Sequence, residues 1–273
     1  MRKILFSLLV HESYPCVYNY LENIKKFVPS SSGVVVHVSK DAPGSDYVYD
    51  RLLQDSLNIF KDFLYLNTNR HPSHKPDEAG SVIGMTTMYA DNFNFVDTKV
   101  DFDVYALLTS NELFVRYGFQ NFVNNYECLY TYSKYDPSSY PFIWCDYLRT
   151  FMEIKFHECG AAEGSYYPRD IFKEASNIIL NYLTKSPHTQ RGYLIDSQEL
   201  LIPTLCFNLD PTLYDRAING NFVHCESNFR AIPREKILSV KNGELIYKYV
   251  VKRVPRDFSD STRVFINQLN KDQ

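Results

Sequence analysis

The 273-residue chain contains no Cys-x-x-Cys pair. Its six cysteines, Cys16, Cys128, Cys145, Cys159, Cys206 and Cys225, are scattered, which favours reduced, packed thiols over a zinc site or a disulfide framework. Two clusters, His157-Glu158-Cys159 and His224-Cys225, lack metal-ligand spacing. There is no basic excess: the net charge is −3, which argues against a nucleic-acid partner. No apolar run approaches the ~20 residues that a membrane-spanning helix needs. Neither a G-x-S-x-G elbow nor a Walker sequence occurs, so the common marks of α/β-hydrolases and P-loop enzymes are missing. The Thr109-Ser110-Asn111-Glu112 segment holds a single carboxylate and no Asp-x-Asp pair.

What is present suits a folded enzyme. Hydrophobic residues make up 45% and charged residues 22%, enough for a large core and too balanced for disorder. The 22 tyrosines and 19 phenylalanines can fill that core or line a binding site. Met1-Arg2-Lys3 followed by Ile4–Val10 has a leader-like start, but the apolar run ends at His11-Glu12 with no small-residue cleavage site. It reads as a buried first strand.

Hydrophobic periodicity predicts strands at Ile4–Val10, Gly33–Val38, 63–66 and 104–108. Helices alternate with them over 15–28, 46–60, with Val48, Leu52, Leu53, Leu57 and Phe60 inward, and from Ser81 to about Val96. The 71–79 segment, with two prolines, reads as a loop. Such alternation predicts an α/β fold with a mainly parallel sheet covered by helices on both faces. Ligands in these sheets sit beyond the carboxyl ends of the strands. His11, Ser39-Lys40-Asp41, Asn69-Arg70 and Ser110-Asn111-Glu112 follow the strands, so they should converge on one cleft.

The second half mixes short strands with helices over 168–184, after Asp196, and over 259–269. Residues 136–141 read as a loop and 157–164 as another. The tyrosines at 126, 130, 132, 135 and 140 offer a wall for an acceptor or ordinary packing. No repeat or domain boundary is visible, which predicts a single domain over 1–273.

Several segments admit both a structural and a chemical reading. Asp196-Ser197-Gln198-Glu199 precedes an apolar run, so Glu199 either closes a capping box or points into a cleft as a general base. Asn111 and Glu112 either cap a following helix or touch a sugar. Gly164-Ser165-Tyr166-Tyr167-Pro168 is either helix-start grammar or a close-approach turn with aromatics to stack on a sugar. Arg230 and the Lys252-Arg253 pair are either solvated charges or a clamp for an anion.

Together these segments resemble, in order along the chain, the core-2/I-branching glycosyltransferases and the related peptide O-xylosyltransferases. Leu8-Leu9-Val10-His11 and Val36-His37-Val38-Ser39-Lys40 are similar to the family's L-x-x-A-H and V-H-V-D-K, with Ser39 where the family has an aspartate. The 103–115 stretch is similar to D-x-x-x-L-L-S-x-x-D-x-P-L, Asn228-Phe229-Arg230 to N-L-R, and Tyr249-Val250-Val251-Lys252-Arg253 to F-x-A-R-K with its basic residues exchanged.

The resemblance implies a GT-A type, Rossmann-like fold and inverting transfer of a sugar from a nucleotide-diphosphate donor, UDP-linked, to a hydroxyl of a glycan or glycolipid acceptor. Glu199, at the family's spacing from Thr204, would be the base. Arg230, Lys252 and Arg253 would hold the diphosphate in place of a metal, with no cofactor. His11, Ser39 and Arg70 would bind the nucleoside; Asn111, Glu112, Ser165 and Tyr166 would bind the acceptor or sugar. Animal members of the family carry an N-terminal membrane anchor, whereas this sequence starts at the first strand. A cytoplasmic enzyme with room for a peripheral membrane contact is therefore the expectation. The Ser39 and Asn111-Glu112 departures leave two alternatives, a non-catalytic sugar-binding module and a nucleotide-sugar hydrolase.

Overall fold

The computed structural model describes residues 1–72, 84–130, 133–135, 157–159, 162–181, 197–225 and 231–271; the side chains of 133–135, 157–159 and 197–200 lie outside that description. The chain runs β1 (Ile4–Val10), α1 (Tyr14–Phe27), β2 (Gly33–Val38), α2 (Ser45–Asn58), β3 (Leu64–Leu66), α3 (Gly84–Val96), β4 (Val104–Thr109), β5 (Glu112–Phe114), α4 (Phe119–Asn125), β6 (Cys128–Tyr130), β7 (Ser133–Tyr135) and β8 (His157–Cys159). It continues with β9 (Tyr166–Pro168), α5 (Arg169–Asn181), α6 (Ser197–Leu209), α7 (Leu213–Arg216), β10 (Ala217–Asn219), β11 (Val223–His224), α8 (Arg234–Lys241), β12 (Val250–Lys252) and α9 (Ser261–Lys271).

A seven-stranded sheet, ordered β10-β6-β9-β4-β1-β2-β3, forms the centre. Strands β1 to β4 are parallel; β9 runs against both β4 and β6. This is the expected α/β, Rossmann-like, mainly parallel sheet flanked by helices. Strands β1, β2 and β4 are buried along their whole length, and the apolar residues of the sheet alternate between two cores. On β1, Ile4, Phe6, Leu8 and Val10 join the core that includes residues of α1 and α2, while Leu5 and Leu9 join the one packed under α3, α5 and α6. Each such side chain contributes about 1.5–3 kcal/mol by leaving water. Polar Ser7, on the second face, is tolerated because Asn92 of α3 donates to its Oγ at 3.0 Å.

A second sheet, β11-β12-β5, pairs β12 antiparallel with β5, setting Lys252 opposite Glu112. Glu112 therefore opens a strand and caps no helix. Two further expectations are corrected. Leu53 and Leu57 of α2 are 44% and 69% exposed, because the helix buries only the stripe through Val48, Leu52 and Asp55. His157–Cys159 is a strand paired with β7, not a loop. The 136–141 loop, most of the 71–79 loop, Ser81 and Tyr132 and Tyr140 lie outside the described residues, as do Cys145 and the side chains of Tyr135 and Cys159. Cys16, Cys128 and Cys206 are buried and Cys225 is exposed, with no disulfide among the described residues. Among the described residues no helix is long and apolar enough to cross a membrane.

Candidate functional site

The carboxyl ends of the central strands are joined by backbone hydrogen bonds into one continuous edge. The Lys40 amide donates to the His71 carbonyl at 3.2 Å, Ser39 to Val10 at 3.1 Å and Ser110 to Leu9 at 3.1 Å. Gly164 donates to Leu107 at 2.8 Å, and Val254 donates to Asn111 at 3.1 Å. His11, Ser39, Ser110, Asn111, Ser165, Lys252 and Arg253 are thus gathered along one edge by residues far apart in sequence, as the parallel topology predicts.

A buried charge cluster lies at its middle. Lys252 Nζ is 3.1 Å from Glu163 Oε1 and 3.7 Å from Glu112 Oε1. Glu112 is completely buried, and Thr109 donates to it twice, from its amide at 3.1 Å and its hydroxyl at 2.9 Å. Burial raises the pKa of Glu112 to about 7; Lys252 and Thr109 pull it down, and neighbouring Glu163 pushes it up. For Lys252, burial lowers the pKa, but the two carboxylates outweigh it and the net shift is upward. An ammonium lodged between two acids can be desolvated only because they compensate its charge.

The turn that presents Glu163 depends on a glycine. Gly164 has φ +80, and a Cβ there would fall 1.9 Å from Asn221 Oδ1. Asn221 cannot easily yield, since it donates to the Glu163 carbonyl and accepts from the Val223 amide, each at 2.6 Å. Arg253 carries the other unusual backbone, a left-handed φ of 66 on a non-glycine residue beside Lys252. Such conformations cost about 1–3 kcal/mol and gather at ligand sites.

Further along the edge, the Ser39 hydroxyl donates to Asp41 Oδ1 at 2.6 Å. A half-buried carboxylate therefore stands beside Ser39 after all, supplied from two residues downstream. Next to it, His71 Nε2 lies 3.5 Å from Asp91 Oδ2, and Asp91 accepts from Asn67 at 2.9 Å and Asn69 at 3.1 Å. Burial lowers the Asp91 tendency to ionise, yet the bonds from His71, Asn67 and Asn69 prevail and its pKa falls. His37 stacks on His71 and accepts from its amide; burial depresses its pKa to about 4, so it is neutral. Beside His11, Glu12 is buried with Arg256 Nε at 2.9 Å, which limits but does not cancel the upward push of burial on its pKa.

Other expected site residues are placed differently. Arg70 is spent within the protein: NH1 pairs with Asp46 at 2.6 Å, NH2 donates to Ser45 at 2.7 Å, and the guanidinium lies over Tyr49. It fastens the end of β2 to the start of α2. Tyr166 is a core residue, fully buried and edge-on to Phe119 and Phe122, with its hydroxyl on the Tyr126 carbonyl. Its ring has no face for a sugar, which corrects the stacking expectation. Tyr130 is likewise buried against Phe207. The Ser165 hydroxyl is buried and donates to the Ala162 carbonyl at 2.5 Å. Glu199 lies in the first turn of α6 with its side chain outside the description, and Arg230 lies outside the described residues.

Glu163, Glu12 and the His71–Asp91 pair were missed from sequence, and Asp41 was expected at the cleft without a role. The missed residues meet their partners through the fold.

No family model matches the chain, and no curated protein matches its sequence. Among solved structures it is similar to an active-site mutant of LgtC, at 10% identity over 99% of this chain and 95% of that one, with a TM-score of 0.49. It is also similar to the apo form of the glycosyltransferase GlyE from Streptococcus pneumoniae TIGR4, at 10% identity over 98% of this chain and 60% of that one, TM-score 0.42. HddC from Yersinia pseudotuberculosis aligns at 12% identity over 72% of this chain and 84% of that one, TM-score 0.34.

Proposed function

We propose that the chain is a GT-A type glycosyltransferase, moving a sugar from a nucleotide-diphosphate donor, UDP-linked, to a hydroxyl of a glycan acceptor with inversion. The observation that carries this reading is the Lys252 ammonium at the carboxyl edge of the sheet, between Glu112 and Glu163. An ammonium has three donor positions, and two carboxylates occupy at most two. The third is available to a diphosphate oxygen, and the side chain keeps 21% of its surface exposed. Charge developing on the leaving diphosphate would be stabilised there by a fixed cation, the role a divalent metal plays in other transferases. Arg230 and Arg253 would add forked donors. Asp41 would accept from nucleoside hydroxyls, taking the part expected of the residue at Ser39. Glu199 would accept the proton of the attacking hydroxyl, an alcohol being a poor nucleophile near neutral pH.

Calorimetric titration with UDP tests the reading. Lys252→Ala and Arg230→Ala should each weaken binding by about 1.5–3 kcal/mol, roughly ten- to a hundredfold or more. Thermal melts of both variants would confirm that they fold. UDP binding that is measurable in the wild type and unchanged in both folded variants would overturn the diphosphate assignment.

A further inference from the structure

A groove of about 330 Å³ runs along α1, lined by Tyr14, Pro15, Tyr18, Asn19, Glu22 and Phe258. The α1 residues Tyr14, Tyr18 and Glu22 fall at i, i+4 and i+8, one stripe of the helix. That stripe begins three residues after His11, so the groove starts at the carboxyl edge of β1 and leads away from it along the flank of the molecule. Phe258 is 48% exposed, and Tyr47, edge-on to Tyr14 at 6.2 Å, is 61% exposed.

The rings are held in place before any ligand arrives. The Tyr14 hydroxyl donates to Asp55 at 2.8 Å, Arg51 lies over its ring, and Tyr18 packs on Phe60. The strap carrying Phe258 is tied to α1, with Cys16 Sγ donating to the Arg256 carbonyl at 3.0 Å and Arg256 pairing with Glu12. Fixed aromatic rings bind at low entropic cost.

We infer that this groove holds a neutral pyranose ring of a glycan that extends from the cleft. Pyranose C–H faces pack on aromatic rings, and sugar hydroxyls donate to a carboxylate such as Glu22. Glu22 is the single charged lining residue, which disfavours phosphate, sulfate and other anions. The volume of about 330 Å³ has room for one ring. That this glycan is the acceptor rests on the transferase reading.

The test begins with an array of immobilised neutral oligosaccharides. Those captured are then titrated against the wild type, Phe258→Ala and Glu22→Gln, with UDP titrated in parallel. A captured neutral oligosaccharide should bind each variant about three- to tenfold more weakly, while UDP affinity stays the same. The inference fails if the wild type captures no neutral glycan, or if both variants bind as well as the wild type. It also fails if Phe258→Ala instead abolishes binding to phosphatidylcholine vesicles, which would make the groove a membrane contact. Glycan capture without UDP binding would keep the groove and sink the donor assignment; UDP binding without capture would do the reverse.

Discussion

Glu112→Gln should make the protein more stable near neutral and alkaline pH. In the folded chain Glu112 holds its proton up to about pH 7, against an ordinary value of 4.5. Burial is the leading cause, because an ionised carboxylate without water is costly. An acid whose pKa rises on folding lends stability below its unfolded pKa and loses it as pH climbs through the folded value. The Glu112 contribution is therefore complete below pH 4.5 and gone above about pH 7. At about 1.4 kcal/mol per pH unit, the loss amounts to roughly 3 kcal/mol. Glutamine keeps the shape, can still accept from Thr109, and never ionises, while Lys252 keeps Glu163. Urea denaturation near pH 8 should show the variant more stable by up to about 2–3 kcal/mol. Near pH 5, where glutamic acid and glutamine are both neutral, the two should agree within about 1 kcal/mol. A variant that is destabilised by more than about 1 kcal/mol near pH 8 would show that the Glu112–Lys252 attraction exceeds the cost of burial, refuting the ranking of causes.

Glu199→Gln should retain the fold and UDP affinity while transfer falls by about 10²–10⁴-fold; near-wild-type transfer would remove Glu199 as the base. Transfer should survive saturating EDTA, since the diphosphate is assigned to Lys252 and the arginines; loss on chelation and rescue by Mn²⁺ or Mg²⁺ would turn attention to Glu112 and Glu163 as metal ligands. Gly164→Ala should cost about 3 kcal/mol or more in thermal or urea unfolding, combining a left-handed backbone with a clash against pinned Asn221; a variant within about 1 kcal/mol of wild type would mean that the turn relaxes freely.

The first half of the fold was legible because its main strands are continuous apolar runs ended by polar residues and its helices show a buried stripe. Legibility failed where partners are distant. Glu112–Phe114 is three residues long and exists as a strand because β12 pairs with it. Lys252 lies within a strand of only three residues, Val250–Lys252, and faces Glu112 across the ladder. Arg70 and Tyr166 have the chemistry of ligand contacts, and the sequence does not show that Asp46 and the Phe119–Phe122 core have claimed them. Glu163 carries no local signal, since only the Gly164 turn brings it to Lys252.

The antiparallel pairing of β12 with β5 also sets a timetable for folding. Strands β1, β2 and β3 pair with partners about 30 residues apart, but the cleft gains its lysine only when β12, from far along the chain, docks on β5. The same region is braced by contacts of still longer reach, Arg263 to Asn19 across 244 residues and Asn270 to the Phe114 carbonyl across 156. Long loop closures of this kind slow folding. In the folded chain β12 is the strand that covers β5 and brings a cation to Glu112. If Lys252 holds the diphosphate as proposed, UDP binding should appear late in refolding, once β12 has docked on β5.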